Sequence, residues 1–168
     1  MFTGQGEFFS VAIANLGILS NVFITYKIGT DIVTEEKLML GGTPLSKQPT
    51  EGNIALEVGN WQVNMTNYDN FRKRIYVYNN TPQDVIKFDA VFTTHDTQES
   101  MTSLLPFNED GSQYFFNHKF YNYKVMGQMI LKGKRIDLNN DLGVMDWGRG
   151  IWPYKSYWVW GSANGKIG

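Results

Sequence analysis

The chain has 168 residues, with 15 basic and 16 acidic side chains and a net charge of −1. That length suits one domain with a sizeable core, and so balanced a charge gives no electrostatic reason to bind nucleic acid or an anionic membrane. The absence of cysteine excludes disulfides and thiolate metal sites.

No apolar run reaches the roughly 18 residues that a membrane-spanning helix needs. No basic segment precedes an apolar one as in a secretory leader. The compartment is not fixed by these features, and the cytoplasm is the favoured reading. Asn64-Met65-Thr66 and Asn79-Asn80-Thr81 fit the glycosylation pattern, a short match that arises readily by chance.

Strand signals then follow one another along the chain. Phe9, Val11 and Ile13 alternate with small residues, and Asn15-Leu16-Gly17 turns the chain. Val22, Ile24, Tyr26 and Ile28 share one face. Residues 32–40 fit a strand or a short helix, and Gly29 with Gly41-Gly42 favours the strand. Residues 43–52 form a loop. Strands are predicted at 54–58, 61–65, 72–78 and 86–92, with a turn at 79–84 and a polar segment at 94–100. Pro106 to Ser112 is a loop, and Tyr114 to Tyr123 a long aromatic strand that Gly127 interrupts as a bulge does. A hairpin spans 129–138. No amphipathic helix of ten residues appears. The pattern predicts an all-β domain, either an antiparallel barrel or a strongly curved meander.

The stretch from Gly143 to Gly165 interleaves Trp147, Trp152, Trp158 and Trp160 with Asp146, Arg149 and Lys155. Gly148 and Gly150 predict a sharp turn with unusual backbone angles, and Pro153 extends the chain around Trp152. Residues 157–163 alternate like a strand, and Asn164-Gly165 is a hairpin signal. A hairpin there needs a returning strand, so 1–168 reads as a single all-β unit, incomplete at both ends. The unpaired strand edge would then meet another copy of the chain or the remainder of the same protein.

Three constellations carry chemistry. Asp146 and Arg149 form either a buried ion pair with Asp146 as proton donor or ligand anchor, or a structural staple of the turn. Asn117 and Lys119 share strand parity; if their face is interior, Lys119 needs a partner such as Asp146 or a ligand carboxylate, and otherwise they face solvent while Phe116, His118 and Phe120 face in. Trp152, Tyr154, Trp158 and Trp160 line a pocket for an apolar ligand, form an exposed row suited to sugars, or simply pack a core. His95 and His118 are the only histidines, and no zinc, EF-hand, P-loop, dinucleotide or G-x-S-x-G pattern is present. No metal and no cofactor are expected.

Asp146-Trp147-Gly148-Arg149-Gly150-Ile151-Trp152-Pro153-Tyr154-Lys155, followed by Trp158, Trp160, Ser162 and Gly165, resembles the signature of a large bacterial family of unknown function. Phe115 to Lys119, Gly127 and the 132–134 hairpin resemble that family's segment ahead of the motif, and Phe8 to Gly17 its early aromatic strand. Members of about twice this length support the fragment reading. The family is distantly similar in plan to lipocalin-like carotenoid hydratases and tocopherol cyclase. That resemblance implies a β-barrel with an apolar interior and no established activity.

The combined expectation is a barrel that binds an apolar or lipid-like small molecule. Asn117, Trp147, Arg149, Trp152, Tyr154, Trp158 and Trp160 would bind the ligand. If the protein does chemistry, Asp146 would donate a proton in an alkene hydration, cyclisation or isomerisation, with Arg149 and Lys119 tuning it or holding a polar head and the indole faces stabilising cationic character. The rival is a carbohydrate-binding or purely structural β-module, and the exposure of Trp158 and Trp160 separates the two.

Overall fold

Eleven antiparallel strands and no helix appear among the described residues of the computed structural model, which are 1, 3, 6–80, 85–96, 99–157 and 159–163. Strands β1 (Phe8–Asn15), β2 (Leu19–Ile28) and β3 (Asp31–Leu40) form one sheet in that order. The other sheet runs from β4 (Ile54–Val58) through β5 (Trp61–Asn67), β6 (Arg72–Asn80) and β7 (Val85–Thr93) to β9 (Tyr114–Leu131) and β10 (Lys134–Asp137). Strands β8 (Ser100–Pro106) and β11 (Asp141–Ile151) also pair with β9. The chain is all-β, as its alternation predicts, and 31–40 is a strand. The sheets do not close on themselves, so the curved meander holds and the barrel does not.

Period-two patterning builds the core. Val22, Ile24 and Tyr26 of β2 are buried, as are Val77 of β6 and Ile86, Phe88 and Ala90 of β7. Intervening residues face outward, as alternate Cβ atoms must. Phe9 stacks on Phe88 at 4.4 Å between ring centroids and 4° between planes, which joins the two sheets. Side chains fill the space that a barrel would offer to a ligand. Truncating Phe88 to alanine is expected to cost about 3–5 kcal/mol.

The organising element is β9. Residues 124–130 pair with β7 on one edge, and 114–120 pair with β8 on the same edge. Strands β10 and β11 occupy the opposite edge. Between Phe120↔Met145 and Tyr123↔Gly143, Tyr121 and Asn122 stand opposite Val144 alone. Asn122 takes φ +55° at this bulge. The extra residue reverses the alternation, so the interior side carries Tyr123 and Val125 after the bulge but Phe116, His118 and Phe120 before it.

Several sequence expectations are corrected here. Residues 148–150 do not turn: β11 continues to Ile151, with Gly148 and Gly150 outside the positive-φ region. What needs glycine is proximity. A Cβ on Gly148 would lie 2.6 Å from the Phe115 ring, and one on Gly150 would overlap the Tyr114 carbonyl oxygen. Gly127 does not interrupt β9, whose bulge is at Asn122. Strand β8 was not predicted; it begins inside the polar segment and ends at Pro106. Residues 157 and 159–163 are irregular rather than strand. The turns at 81–84 and Asn164-Gly165, and Trp158, lie outside the described residues.

Candidate functional site

The site is built on the β8–β9–β11 ladder. Asp146 stands directly opposite Lys119, and Gly148 opposite Asn117. Directly opposed residues project to the same face, so Asp146, Asn117 and Lys119 meet on the side away from the sandwich interior. Lys119 Nζ donates to Asp146 Oδ2, and Asn117 Nδ2 donates to Asp146 Oδ1. The Asn117 amide also donates to the Trp147 carbonyl at 3.2 Å. Trp160, beyond the end of β11, returns to this face. Trp160 Nε1 donates to Asp146 Oδ2 at 2.7 Å, and Lys119 Nζ lies 5.4 Å from the Trp160 ring centroid.

Three donors therefore converge on one carboxylate. Burial pushes the Asp146 carboxyl upward, but the bonds from Lys119, Asn117 and Trp160 and the Lys119 charge outweigh it, so it is held below its ordinary value. Asp146 is an ionised acceptor at neutral pH. That state opposes its expected role as a proton donor.

An aromatic cluster adjoins the polar one. Trp152 packs on Phe115 at 4.7 Å and Phe107 at 5.4 Å. The absence of a Cβ atom at Gly148 leaves room for the Phe115 ring. Trp152 is 36% exposed, Trp160 51% and Tyr154 fully exposed. Trp152 and Trp160 are thus open to the surface. Open hollows of about 610 and 390 Å³ lie elsewhere, beside Gly127 and Arg135 and beside Gly42 and Asn53.

The ladder separates other predicted residues. Arg149 is three positions from Asp146 along a strand and so points to the opposite face. Its guanidinium lies 5.9 Å from the Trp147 ring, which meets Phe116 edge-on at 6.0 Å. Arg149 therefore does not pair with Asp146, and Trp147 does not line the same surface. His118 belongs to that other face, with Nε2 2.9 Å from Ser100 Oγ and its ring 4.0 Å from that of Phe120. Phe107 and Phe115 are the site residues that sequence reasoning missed. The signal was Phe115 at the parity of Asn117 and Lys119. Among the described residues no group of histidine and carboxylate side chains is arranged to hold a metal.

Residues 1–168 match the family described as a domain of unknown function, DUF2804. The chain belongs to this family. No curated protein and no solved structure matches it. Membership thus supports the expected relation to an uncharacterised family, and the chemistry must be argued from the site.

Proposed function

We propose that this domain is a binding module for ring-shaped, polyhydroxylated ligands of the carbohydrate class. The ligand lies on the open face of β9 and β11, between Trp160 and the Trp152–Phe115–Phe107 cluster. The observation that carries the reading is Trp160. Its ring is half-exposed, yet its Nε1 is fixed to Asp146 at 2.7 Å.

An indole held by its edge presents a preorganised face, and preorganisation reduces the entropy lost on binding. Aromatic faces carry partial negative charge and attract the slightly positive C–H groups of a sugar ring. Lys119 has three N–H donors and Asp146 about four acceptor positions, so both keep capacity for ligand hydroxyls beyond their mutual bond. Asn117 is 4% exposed and serves to orient Asp146. This reading retains Asp146, Lys119, Asn117, Trp152 and Trp160 from the sequence expectation and excludes Arg149 and Trp147.

An apolar ligand enclosed in a barrel has less support, because the sheets are open and Trp152 and Trp160 face outward. Acid catalysis has less support because Asp146 is held ionised.

Affinity electrophoresis through gels containing soluble polysaccharides tests the proposal. The wild type is expected to be retarded by at least one polysaccharide. Trp160→Ala should weaken that retardation about tenfold or more, since stacking anchors are commonly worth above 1 kcal/mol, and Arg149→Ala should leave it unchanged. No retardation of the wild type in any gel, or equal loss in both variants, contradicts the reading.

A further inference from the structure

The end of the small sheet farthest from the β2–β3 turn carries an apolar tip. Leu16 is 61% exposed and Ile18 83%, both in the β1–β2 turn; Leu38 is 63% and Leu40 93%, at the end of β3. They form one locus, because Leu19 pairs with Leu40 and Gly41 N donates to the Ile18 carbonyl at 2.8 Å. Four large aliphatic side chains this exposed on one protrusion mark an interaction site rather than scattered surface residues.

Two further observations define what this tip meets. The first is charge. No Asp, Glu, Lys, Arg or His lies between Phe8 and Tyr26, or between Leu38 and Ser46. The facing wall of the adjacent hollow, Asn53 to Leu56, is also uncharged. The second is hydrogen bonding. Leu16 N donates to the Leu19 carbonyl at 2.8 Å, and Gly17 N to Asn15 Oδ1 at 2.8 Å. Asn15 Nδ2 donates to the Thr43 carbonyl at 2.7 Å. Ser20 Oγ donates to the Gly41 carbonyl at 3.0 Å and accepts from Thr43 N at 2.6 Å. Gly42 sits so close that a Cβ there would lie 2.8 Å from the Gly17 carbonyl oxygen. The polar groups of the turn thus bond to one another.

An apolar surface that carries no charge, on a turn bonded internally, avoids the burial of ions and of that turn's peptide groups; the open outer edge of β3 stays in the headgroup layer, and only side chains enter the acyl region. Protein partners are recognised through hot spots rich in Trp, Tyr and Arg with a polar rim, and this tip has none of those three residue types. We propose that the tip formed by Leu16, Ile18, Leu38 and Leu40 docks the domain on a lipid bilayer, inserting these side chains among the acyl chains at the interface. Because no cluster of basic residues surrounds the tip, attachment is apolar. It takes zwitterionic lipid and does not depend on anionic headgroups.

The chain has no cysteine, so one environment-sensitive fluorophore can be placed at will. Ile18→Cys carrying a nitrobenzoxadiazole label is mixed with phosphatidylcholine vesicles, with labelled Glu109→Cys in the distant β8–β9 loop as control. The expected result is a blue shift and brightening at position 18 alone, unchanged in high salt. Ile18→Ser and Leu40→Ser, both at exposed positions that leave folding intact by circular dichroism, should each lower co-flotation of unlabelled protein by about tenfold, the value of one buried aliphatic side chain. No response at 18, equal responses at 18 and 109, binding only to vesicles containing phosphatidylglycerol with release by salt, or a dimer in lipid-free sedimentation that Ile18→Ser abolishes would each overturn the proposal.

Discussion

Trp160 Nε1 donates to Asp146 Oδ2 at 2.7 Å, fourteen positions along the chain. This one bond fastens the irregular segment after β11 to the face of the sheet. It also orients the indole whose ring is the centre of the proposed binding surface. Loss of the acceptor and loss of the ring should therefore have different signatures.

Asp146→Asn tests the acceptor. The variant keeps the shape but leaves Lys119, only 13% exposed at its side chain, without an opposite charge. A loss of about 1–2 kcal/mol is expected from urea unfolding, moderated because the Asp146 side chain keeps 28% exposure. Trp160→Ala should cost less stability and more ligand affinity.

The pH dependence follows from the same carboxylate. Its folded value lies below the ordinary 3.8, so its contribution is complete above that pH and is lost as pH falls through the folded value. Stability measured from pH 6 down to pH 2 should fall more steeply in the wild type than in Asp146→Asn. Parallel curves would show that Asp146 contributes nothing to acid unfolding.

Lys73 predicts the opposite slope. It is 6% exposed and among the described residues bonds to neutral acceptors, the Pro49 carbonyl at 3.0 Å and Asn67 Oδ1 at 2.6 Å. Burial lowers its ammonium from 10.5 to about 8. Between those values the unfolded chain binds more protons, so the stability contribution of Lys73 rises with pH. Tyr123, pushed up to about 12 by burial, acts in the other direction only above about pH 10. Stability should thus gain on the order of 1–3 kcal/mol from pH 8 to 10 relative to Lys73→Met. The same pH profile in both proteins would refute the assignment.

Much of this fold was legible because burial on one face leaves a period of two. Val22, Ile24 and Tyr26, or Ile86, Phe88 and Ala90, declare their strands. Strand β8 was not legible, since its first residues are polar and its pairing depends on distant β9. Residues 157–163 misled for the converse reason: aromatics alternate there in the sequence, but the described residues 157 and 159–163 are not strand. The pairing of Lys119 with Asp146 was foreseen only for an interior face, and it forms instead on the outer face of the sheet. The separation of Arg149 was hidden by reading Gly148 and Gly150 as turn residues. Once β11 runs through them, an odd spacing forces Asp146 and Arg149 apart.

Those glycines give a further test. Gly150→Ala sets a Cβ against the backbone carbonyl of Tyr114, whereas Gly148→Ala meets mainly the Phe115 ring. A ring can tilt and a paired backbone cannot. Gly150→Ala should cost more than the roughly 1 kcal/mol of an average substitution, and more than Gly148→Ala. Thermal unfolding of the two variants decides the order.

The most direct measurement is a saccharide titration followed by the indole N–H resonances of the five tryptophans. Trp160→Phe assigns its own peak, and Trp61, 2% exposed in the core, is the internal reference. The account predicts a saturable shift of the Trp160 resonance, with Trp61 unmoved, using the saccharide that retards the protein in gels. A fixed Trp160 resonance at saturating saccharide, or a shift of Trp61 on adding an apolar ligand while Trp160 stays in place, would contradict it.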